Sequence, residues 1–135
     1  MRWQSSRERL RLIDRVLDAI RREAQDSVVL VEGRGDVDAL AALGVEAEMI
    51  RVSGCGRRLI EMVEHVAETN DSAIVLTDWD EQGEHLKSEL KRLLELHGVT
   101  PNTLHRRRLR GLTGKDIHDV ESLATHHRNV RREVE

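Results

Sequence analysis

Aromatic side chains are almost absent from this sequence. It has no tyrosine and no phenylalanine, and Trp3 and Trp79 are its only tryptophans. Proteins that bind single-stranded nucleic acid use aromatic rings on which the bases stack. The chain therefore has too few rings to build such a platform, and any nucleic acid it binds must be held mainly through phosphates.

The sequence is equally poor in cysteine and in long apolar runs. Its single cysteine, Cys55, excludes an internal disulfide and is typical of a reducing compartment. No apolar run is long enough to cross a membrane, and the charged N-terminus has no signal-peptide pattern. We therefore expect a soluble, cytoplasmic protein without membrane association, folded as one domain of 135 residues.

Neither sign of charge dominates, because 22 lysines and arginines face 25 acidic residues and the net charge is -3. A nucleic-acid-binding surface would therefore have to be local. The densest basic run begins at His105. We expect phosphate contacts from Arg106, Arg107, Arg108 and Arg110, joined by Arg128, Arg131 and Arg132. The alternative is an ordinary solvated face.

Apolar periodicity divides the chain into alternating helices and strands. An amphipathic helix is predicted from about Ser6 to Ala24, opened by a capping box of Ser5 and Glu8. Its other face is basic. This alternation predicts an α/β fold, with a parallel sheet of about four strands and helices on both faces. The predicted strands lie at 28–31, 47–52, 73–76 and, as a basic edge strand, 103–109.

Polar groups follow three of these strands at the points where they end. Glu32 follows the first, a turn at 53–56 follows the second, and Asp78 and Asp80 follow the third. The carboxyl ends of parallel strands lie along one edge of the sheet, where like charges repel unless a divalent cation neutralises them. A few carboxylates suit magnesium better than zinc or calcium. We therefore predict that Asp78 and Asp80 share Mg²⁺, with Mn²⁺ as a substitute, and that Trp79 faces away from them.

Several of these residues also have a purely structural interpretation. Asp36 and Asp80 both precede helical patterns and would serve as N-caps. Capping is the favoured interpretation for Asp36, whereas metal binding is favoured for Asp80 because a cap does not require a second acid beside it. Glu32 has no capping role here, and the glycines that follow allow a ligand to approach closely. His126 and His127 are expected to be solvated in a polar tail.

Two segments, VVLVEGRGDVDAL and IVLTDWDEQGEHL, resemble the Toprim domain of primases, topoisomerases, recombination mediators and some nucleases. The resemblance implies a compact Rossmann-like fold in which a glutamate after the first strand is a general acid or base. It also implies that an Asp-x-Asp pair after the third strand binds magnesium. Carried over to this sequence, these roles fall to Glu32 and to Asp78 and Asp80.

A later segment adds to the resemblance. Lys115-Asp116-Ile117 and Val120-Glu121 look similar to the corresponding part of the bacterial maturase of the 5S ribosomal RNA precursor. Glu121, together with Asp36, is therefore a candidate additional site residue. We expect an N-terminal helix packed on the domain at 1–26, a Toprim domain at 27–123 and a basic polar tail at 124–135.

The function that the resemblance implies is magnesium-dependent phosphodiester hydrolysis or nucleotidyl transfer on RNA or DNA, in RNA processing or DNA metabolism. The alternative is a non-catalytic module that binds magnesium and nucleic acid, or a protein that interacts with a partner. The sequence predicts neither the choice between RNA and DNA nor the oligomeric state.

Overall fold

A four-stranded parallel sheet forms the centre of the computed structural model, which describes residues 5–53 and 58–135. Its strand order is β2-β1-β3-β4, so β1 and β3 are the central pair. All neighbouring strands run parallel. The α/β fold predicted from the sequence is therefore confirmed. The strands are β1 (Val28–Val31), β2 (Met49–Arg51), β3 (Ser72–Leu76) and β4 (Thr100–Asn102).

Helices cover both faces of this sheet. The residues of β1 are all buried, with Val29 and Val31 facing one hydrophobic core and Val28 and Leu30 facing the other. A strand that is apolar at every position is expected where both faces of a parallel sheet are covered. The helices are α1 (Ser6–Glu23), α2 (Arg34–Ala42), α3 (Leu59–Thr69), α4 (Glu81–Leu96), α5 (Leu104–Thr113) and α6 (Leu123–Val134).

The N-terminal helix forms as its sequence predicts. The Ser5 hydroxyl accepts a hydrogen bond from the Glu8 backbone N–H at 3.1 Å and so satisfies one of the free donors at the start of α1. The apolar stripe of α1 is buried against the sheet. Its members are Ile13, Val16, Leu17 and Ile20.

The prediction of a basic edge strand at 103–109 is wrong. The edge strand is β4, which comes just before, and residues 104–113 form α5. His105, Leu109 and Leu112 are buried, and their spacing of four and three residues has the period of a helix rather than that of a strand. Arginines fill most of the intervening positions and obscure this short apolar pattern.

The polar chain end is helical, because residues 123–134 form α6, and this helix packs against α1. The histidines expected in solvent are hydrogen-bonded to carboxylates, His126 to Asp116 at 3.0 Å and His127 to Asp14 at 2.7 Å. The predicted turn at 53–56 lies almost entirely outside the described residues. Within the described ranges, no helix combines the length and the apolar character needed to cross a membrane.

Candidate active site at the carboxyl edge of the sheet

The sheet reverses its strand order between β1 and β3. The chain passes from β1 through α2 to β2 on one side, and β3 lies on the other side of β1. In open α/β sheets, ligands bind outside the carboxyl ends of the strands at such a reversal. Glu32 follows β1 directly, and Asp78 comes two residues after the last residue of β3. The fold therefore carries both acids to the place where a ligand is expected.

A direct hydrogen bond joins these two strand ends. The Asp78 backbone N–H donates to Glu32 Oε2 at 2.6 Å, which fixes one oxygen of that carboxylate. The Glu32 side chain also forms a hydrogen bond with the Asp78 carboxyl. The Asp78 side chain is fixed in turn, because its Oδ1 accepts from the Val120 backbone N–H at 2.9 Å.

Negative charge is concentrated around Asp78. Burial raises the pKa of its carboxyl from 3.8 to about 7, and the charges of Asp36 and Glu32 and a hydrogen bond with the Glu32 side chain act in the same direction. The hydrogen bond from Val120 lowers the pKa but does not offset these effects. A cation bound beside Asp78 would relieve this repulsion.

Asp36 belongs to the same acidic group but is not the N-cap that the sequence pattern favoured. It is buried in the first turn of α2, whose N-cap is Gly33, and it accepts a hydrogen bond from the Gly33 backbone N–H at 3.0 Å. Burial raises the pKa of Asp36, as does the charge of Asp119, whereas backbone hydrogen bonds from Gly33, Glu32 and Glu121 lower it. Asp36 thus ties the β1–α2 turn to the segment around residue 120.

Asp80 is placed differently from the other acids. Its exposed carboxylate caps α4, with Oδ1 accepting from the Gly83 backbone N–H at 2.7 Å. The capping role, which the sequence pattern did not favour for Asp80, is therefore present. Asp80 Oδ2 accepts no hydrogen bond from the part of the chain that the structure describes and is free to bind a ligand.

Glu121 reaches the same edge from the other end of the sequence. Its side chain lies over the α2 start, so that a Cβ at Gly35 would come 2.4 Å from Glu121 Cδ. Glu121 also lines a polar cleft of about 800 Å³ together with Arg9, Asp116 and His126. The segment singled out around residues 115–121 therefore does lie beside the acidic edge.

Arg106 supports this site from inside the protein, a position that the sequence interpretation missed. It is only 3% exposed, and its guanidinium donates to the carbonyl oxygens of Thr77 and Asp78 at 2.9 and 2.5 Å. It also donates to Glu84 Oε1 at 2.9 Å. Because these donors are occupied, Arg106 is not free to contact phosphates as expected. The helical period that buries Leu109 also places residue 106 on the inner face, and this signal was present in the sequence.

The neighbouring arginines of α5 differ from Arg106 in their surroundings. Arg107 and Arg108 are exposed, and the exposed Arg110 donates to Glu84 Oε1 at 2.8 Å. Partial burial alone would raise the pKa of Glu84, but the hydrogen bond and charge of Arg106, with help from Lys87 and Arg110, lower it below its usual value. The basic run of the sequence is thus divided between a buried arginine and an exposed group.

Trp79 completes the turn between β3 and α4. It is buried, as expected of a residue that faces away from the acids, and its indole Nε1 donates to the Ile117 carbonyl oxygen at 2.7 Å. Its backbone N–H donates to the His118 carbonyl oxygen at 2.9 Å. These bonds attach the turn to the segment that carries Val120 and Glu121.

The donor set at this edge fits magnesium in its chemistry. Carboxylate oxygens are the ligands that hard cations prefer, and magnesium needs only one or two of them because it keeps several waters. No group of three acidic, histidine or cysteine side chains is already arranged as a metal site among the residues that the structure describes. The fit therefore rests on Asp78 and its acidic neighbours rather than on a complete cage.

Comparison with known proteins agrees with this fold. A family model of the Toprim domain matches residues 27–110. This chain belongs to the Toprim domain family. The membership implies a metal-binding fold associated with nucleic acids, and Toprim domains generally bind Mg²⁺.

Relatives of this Toprim protein extend over nearly the whole chain. A UPF0292 protein of Methanosarcina barkeri is 31% identical over 126 residues, covering 93% of this chain and 87% of the relative. A UPF0292 protein of Pyrococcus abyssi is 34% identical over 116 residues, covering 86% and 84%. A solved structure of a protein from Aquifex aeolicus matches with a TM-score of 0.69 and 24% identity, covering 81% of this chain and 95% of that one. This last likeness shows the fold alone.

Proposed function

We propose that this Toprim protein catalyses magnesium-dependent phosphodiester hydrolysis or nucleotidyl transfer on RNA or DNA. The observation that carries the proposal is the junction of Glu32 and Asp78 at the strand reversal, where Glu32 Oε2 lies 2.6 Å from the Asp78 backbone nitrogen. The pKa of Asp78, raised to about 7 by burial and by neighbouring acids, supports a site that needs a cation.

Two acids are suited to hold the metal, and a third is suited to move a proton. Asp78 and Asp80 would hold Mg²⁺ through their carboxylate oxygens. Bound there, the ion would supply Lewis-acid chemistry that neutralises charge developing on the phosphate. Glu32 is oriented by the bond to its Oε2, and its carboxylate would take a proton from the attacking group or give one to the leaving group.

The exposed arginines of α5 are the proposed phosphate contacts. Arg107 and Arg108 have exposed side chains, and Arg110 is exposed although it pairs with Glu84. Arg106 is omitted from this set because Thr77, Asp78 and Glu84 already occupy its guanidinium.

A binding module without catalysis is the second candidate function. It is favoured by the lack of three prearranged metal ligands among the described residues and by the capping role of Asp80. In such a module, magnesium would assist folding or docking, and basic residues would bind nucleic acid without bond cleavage.

The test is cleavage of labelled structured RNA and of single- and double-stranded DNA, over a range of magnesium and manganese concentrations. Glu32→Gln keeps the shape of the side chain but cannot exchange a proton, so we expect turnover to fall by about 10²–10⁴-fold at every metal concentration. Asp78→Asn and Asp80→Asn should lose activity that high magnesium partly restores, because their defect lies in metal affinity.

Glu64→Gln is the matched control, because Glu64 is an exposed acid on α3, away from the strand reversal. It should cleave like the unaltered protein. Restoration of Glu32→Gln by added magnesium would make Glu32 a metal ligand rather than a proton-transfer group. If the unaltered protein cleaves and joins nothing at any metal concentration, the binding module replaces the enzyme.

A further inference from the structure

The outer side of α1 carries a row of arginines. Arg7, Arg11, Arg15 and Arg22 are exposed at intervals of four, four and seven residues, so they lie along one side of the helix. The opposite side of α1 is buried in the core. From Arg7 to Arg22 the row extends for about 22 Å at the helical rise of about 1.5 Å per residue.

Helix α6 widens this row into a face of two helices. The two helices are held side by side by His127 and Asp14, 2.7 Å apart, and by Ser6 and Glu133, 2.6 Å apart. Helix α6 adds exposed arginines of its own. They are Arg128, Arg131 and Arg132. We call the set of Arg7, Arg11, Arg15, Arg22, Arg128, Arg131 and Arg132 the α1/α6 arginine face.

The charge of this face is opposite to that of the rest of the molecule. Helix α1 contains six arginines and four acids, and α6 contains three arginines and one acid, although the whole chain has a net charge of -3. The acids on the two helices are largely occupied: Asp14 by His127, Asp18 by Arg21 and Glu133 by Ser6.

Six arginines of the face are left without a carboxylate partner. Within the described residues, no acidic side chain lies within ion-pair distance of these six, although Arg7 donates to the Val134 carbonyl oxygen at 3.1 Å. They are Arg7, Arg11, Arg15, Arg22, Arg128 and Arg132. An uncompensated row of arginines is complementary to a regular row of negative charges, such as the phosphates along one strand of a nucleic acid.

We propose that the α1/α6 arginine face binds the backbone of a double-helical nucleic acid. The inference rests on the proposed function, because the duplex is its substrate class. A duplex fits better than a single strand, since the described part of the face has no aromatic ring on which unpaired bases stack. An anionic membrane fits less well, because the apolar side of α1 is buried in the core and cannot enter a lipid layer.

The face also has a direct connection to the acidic edge. Helix α6 begins three residues after Val120, whose N–H holds the Asp78 carboxylate. Arg9 of α1 pairs with Asp116 at 2.9 Å, and both side chains line the cleft that contains Glu121. Helix α6 therefore joins the arginine face to the segment that holds the Asp78 carboxylate.

The test is the binding of a fluorescent hairpin duplex of about 20 base pairs, as RNA and as DNA, across a salt series with a metal chelator present. Removing one arginine that neutralises a phosphate lowers the slope of log affinity against log salt by about one unit. We expect Arg11→Gln with Arg15→Gln to lower it by about two units and to weaken binding at least about tenfold, and the addition of Arg128→Gln and Arg132→Gln to lower it further.

A matched control changes the net charge equally on the other face of the sheet. Lys91→Gln with Arg92→Gln alters two exposed residues of α4, and we expect the slope to stay unchanged. Circular dichroism should show that all variants are folded. Equal slopes for the two double variants would overturn the proposal, as would binding of vesicles containing phosphatidylserine in place of the duplex, with the same dependence on Arg11 and Arg15.

Failure of this inference can be distinguished from failure of the proposed function. Binding in chelator requires neither metal nor chemistry, so Asp78→Asn should bind the duplex as the unaltered protein does. If the protein cleaves nothing but still binds the duplex in a way that depends on Arg11, only the proposed catalytic function is contradicted. Cleavage with a slope that is insensitive to Arg11 and Arg15 would contradict only the arginine face.

Discussion

The two turns that carry the acids are stabilised in different ways. In the β1–α2 turn, Asp36 closes back on Gly33, three residues away, and α2 begins directly after that glycine. In the β3–α4 turn, the partners of Asp78 are Glu32, Arg106 and Val120, which lie 46, 28 and 42 residues away in the sequence. The first turn is therefore closed by its own residues and joined to distant residues through Glu32, which bonds Asp78 and Ser53, whereas the second is bonded to three distant parts of the chain.

This difference predicts which of the two turns tolerates substitution. A local turn can relax without moving other elements, because its neighbours are flexible side chains. A turn held between β1, α5 and the segment around residue 120 cannot move without disturbing all three. The second turn also carries Asp78 and Asp80, so its rigidity fixes the position of the acids proposed to bind magnesium.

The largest effect should come from a Cβ added at Gly83, at the start of α4, and Gly35, at the start of α2, provides the comparison. At Gly83, a Cβ would lie 1.8 Å from the Asp78 carbonyl oxygen, and this backbone has no room to move. At Gly35, the atom met is Glu121 Cδ at 2.4 Å, which belongs to an exposed, flexible side chain. We expect Gly83→Ala to lower the free energy of unfolding by at least about 3 kcal/mol, or to prevent folding.

Gly35→Ala is the matched variant, and we expect it to change the free energy of unfolding by less than about 1 kcal/mol, since alanine also favours the helix. Urea unfolding followed by circular dichroism measures both. Similar losses in the two variants would show that the turns do not differ in rigidity.

The parts of the fold that sequence patterns predicted are those encoded by residues close together in the chain. The burial of β1 on both faces, the Ser5 cap and the apolar stripe of α1 all follow from local spacing. Residues 103–109 were misassigned because their arginines hide an apolar period of only three buried positions, and the partners that bury Arg106 come from β3 and α4.

The candidate site likewise has features that local sequence patterns predict and features that they do not. The proximity of Glu32 to Asp78 follows from parallel strand order, which local patterns predict. The capping position of Asp80 also follows from the local pattern, although metal binding was the favoured interpretation for that residue. The contact of Glu121 with the α2 start depends on a segment far along the chain, and no local signal predicts it.

The second prediction concerns the buried arginine that holds the β3–α4 turn. Arg106→Met leaves the carbonyl oxygens of Thr77 and Asp78 and one Glu84 oxygen without this donor. Because unpaired buried polar groups are costly, we expect the free energy of unfolding to fall by about 3 kcal/mol.

The control for Arg106 is Arg110→Met, which removes the other arginine that binds Glu84 Oε1. Arg110 is exposed and solvent weakens its ion pair, so we expect a loss below about 1 kcal/mol. The same denaturant unfolding compares the two variants. A loss for Arg106→Met no greater than for Arg110→Met would show that the guanidinium does not stabilise the turn.

The third prediction concerns the dependence of stability on pH at Asp78, an effect that solvent screening reduces because Asp78 is only partly buried. Its pKa is raised in the folded protein to about 7 from 3.8, so the folded state holds this proton more tightly than the unfolded state. The resulting stabilisation is complete below the unfolded pKa and is lost as the pH rises through about 7. Without divalent cations, the melting temperature should therefore fall between about pH 4 and pH 7, and that of Asp78→Asn should fall less.

The difference between the two profiles isolates Asp78, because every other titratable group is the same in both proteins. Asparagine can still accept the Val120 hydrogen bond through Oδ1, so the turn keeps its geometry. Magnesium should flatten the profile of the unaltered protein more than that of Asp78→Asn, since bound metal competes with the proton for the same carboxylate. Parallel profiles in chelator would contradict the raised pKa. Equal shifts of the melting temperature on adding magnesium would instead show that the metal does not bind at Asp78. The β3–α4 turn would then have a purely structural role.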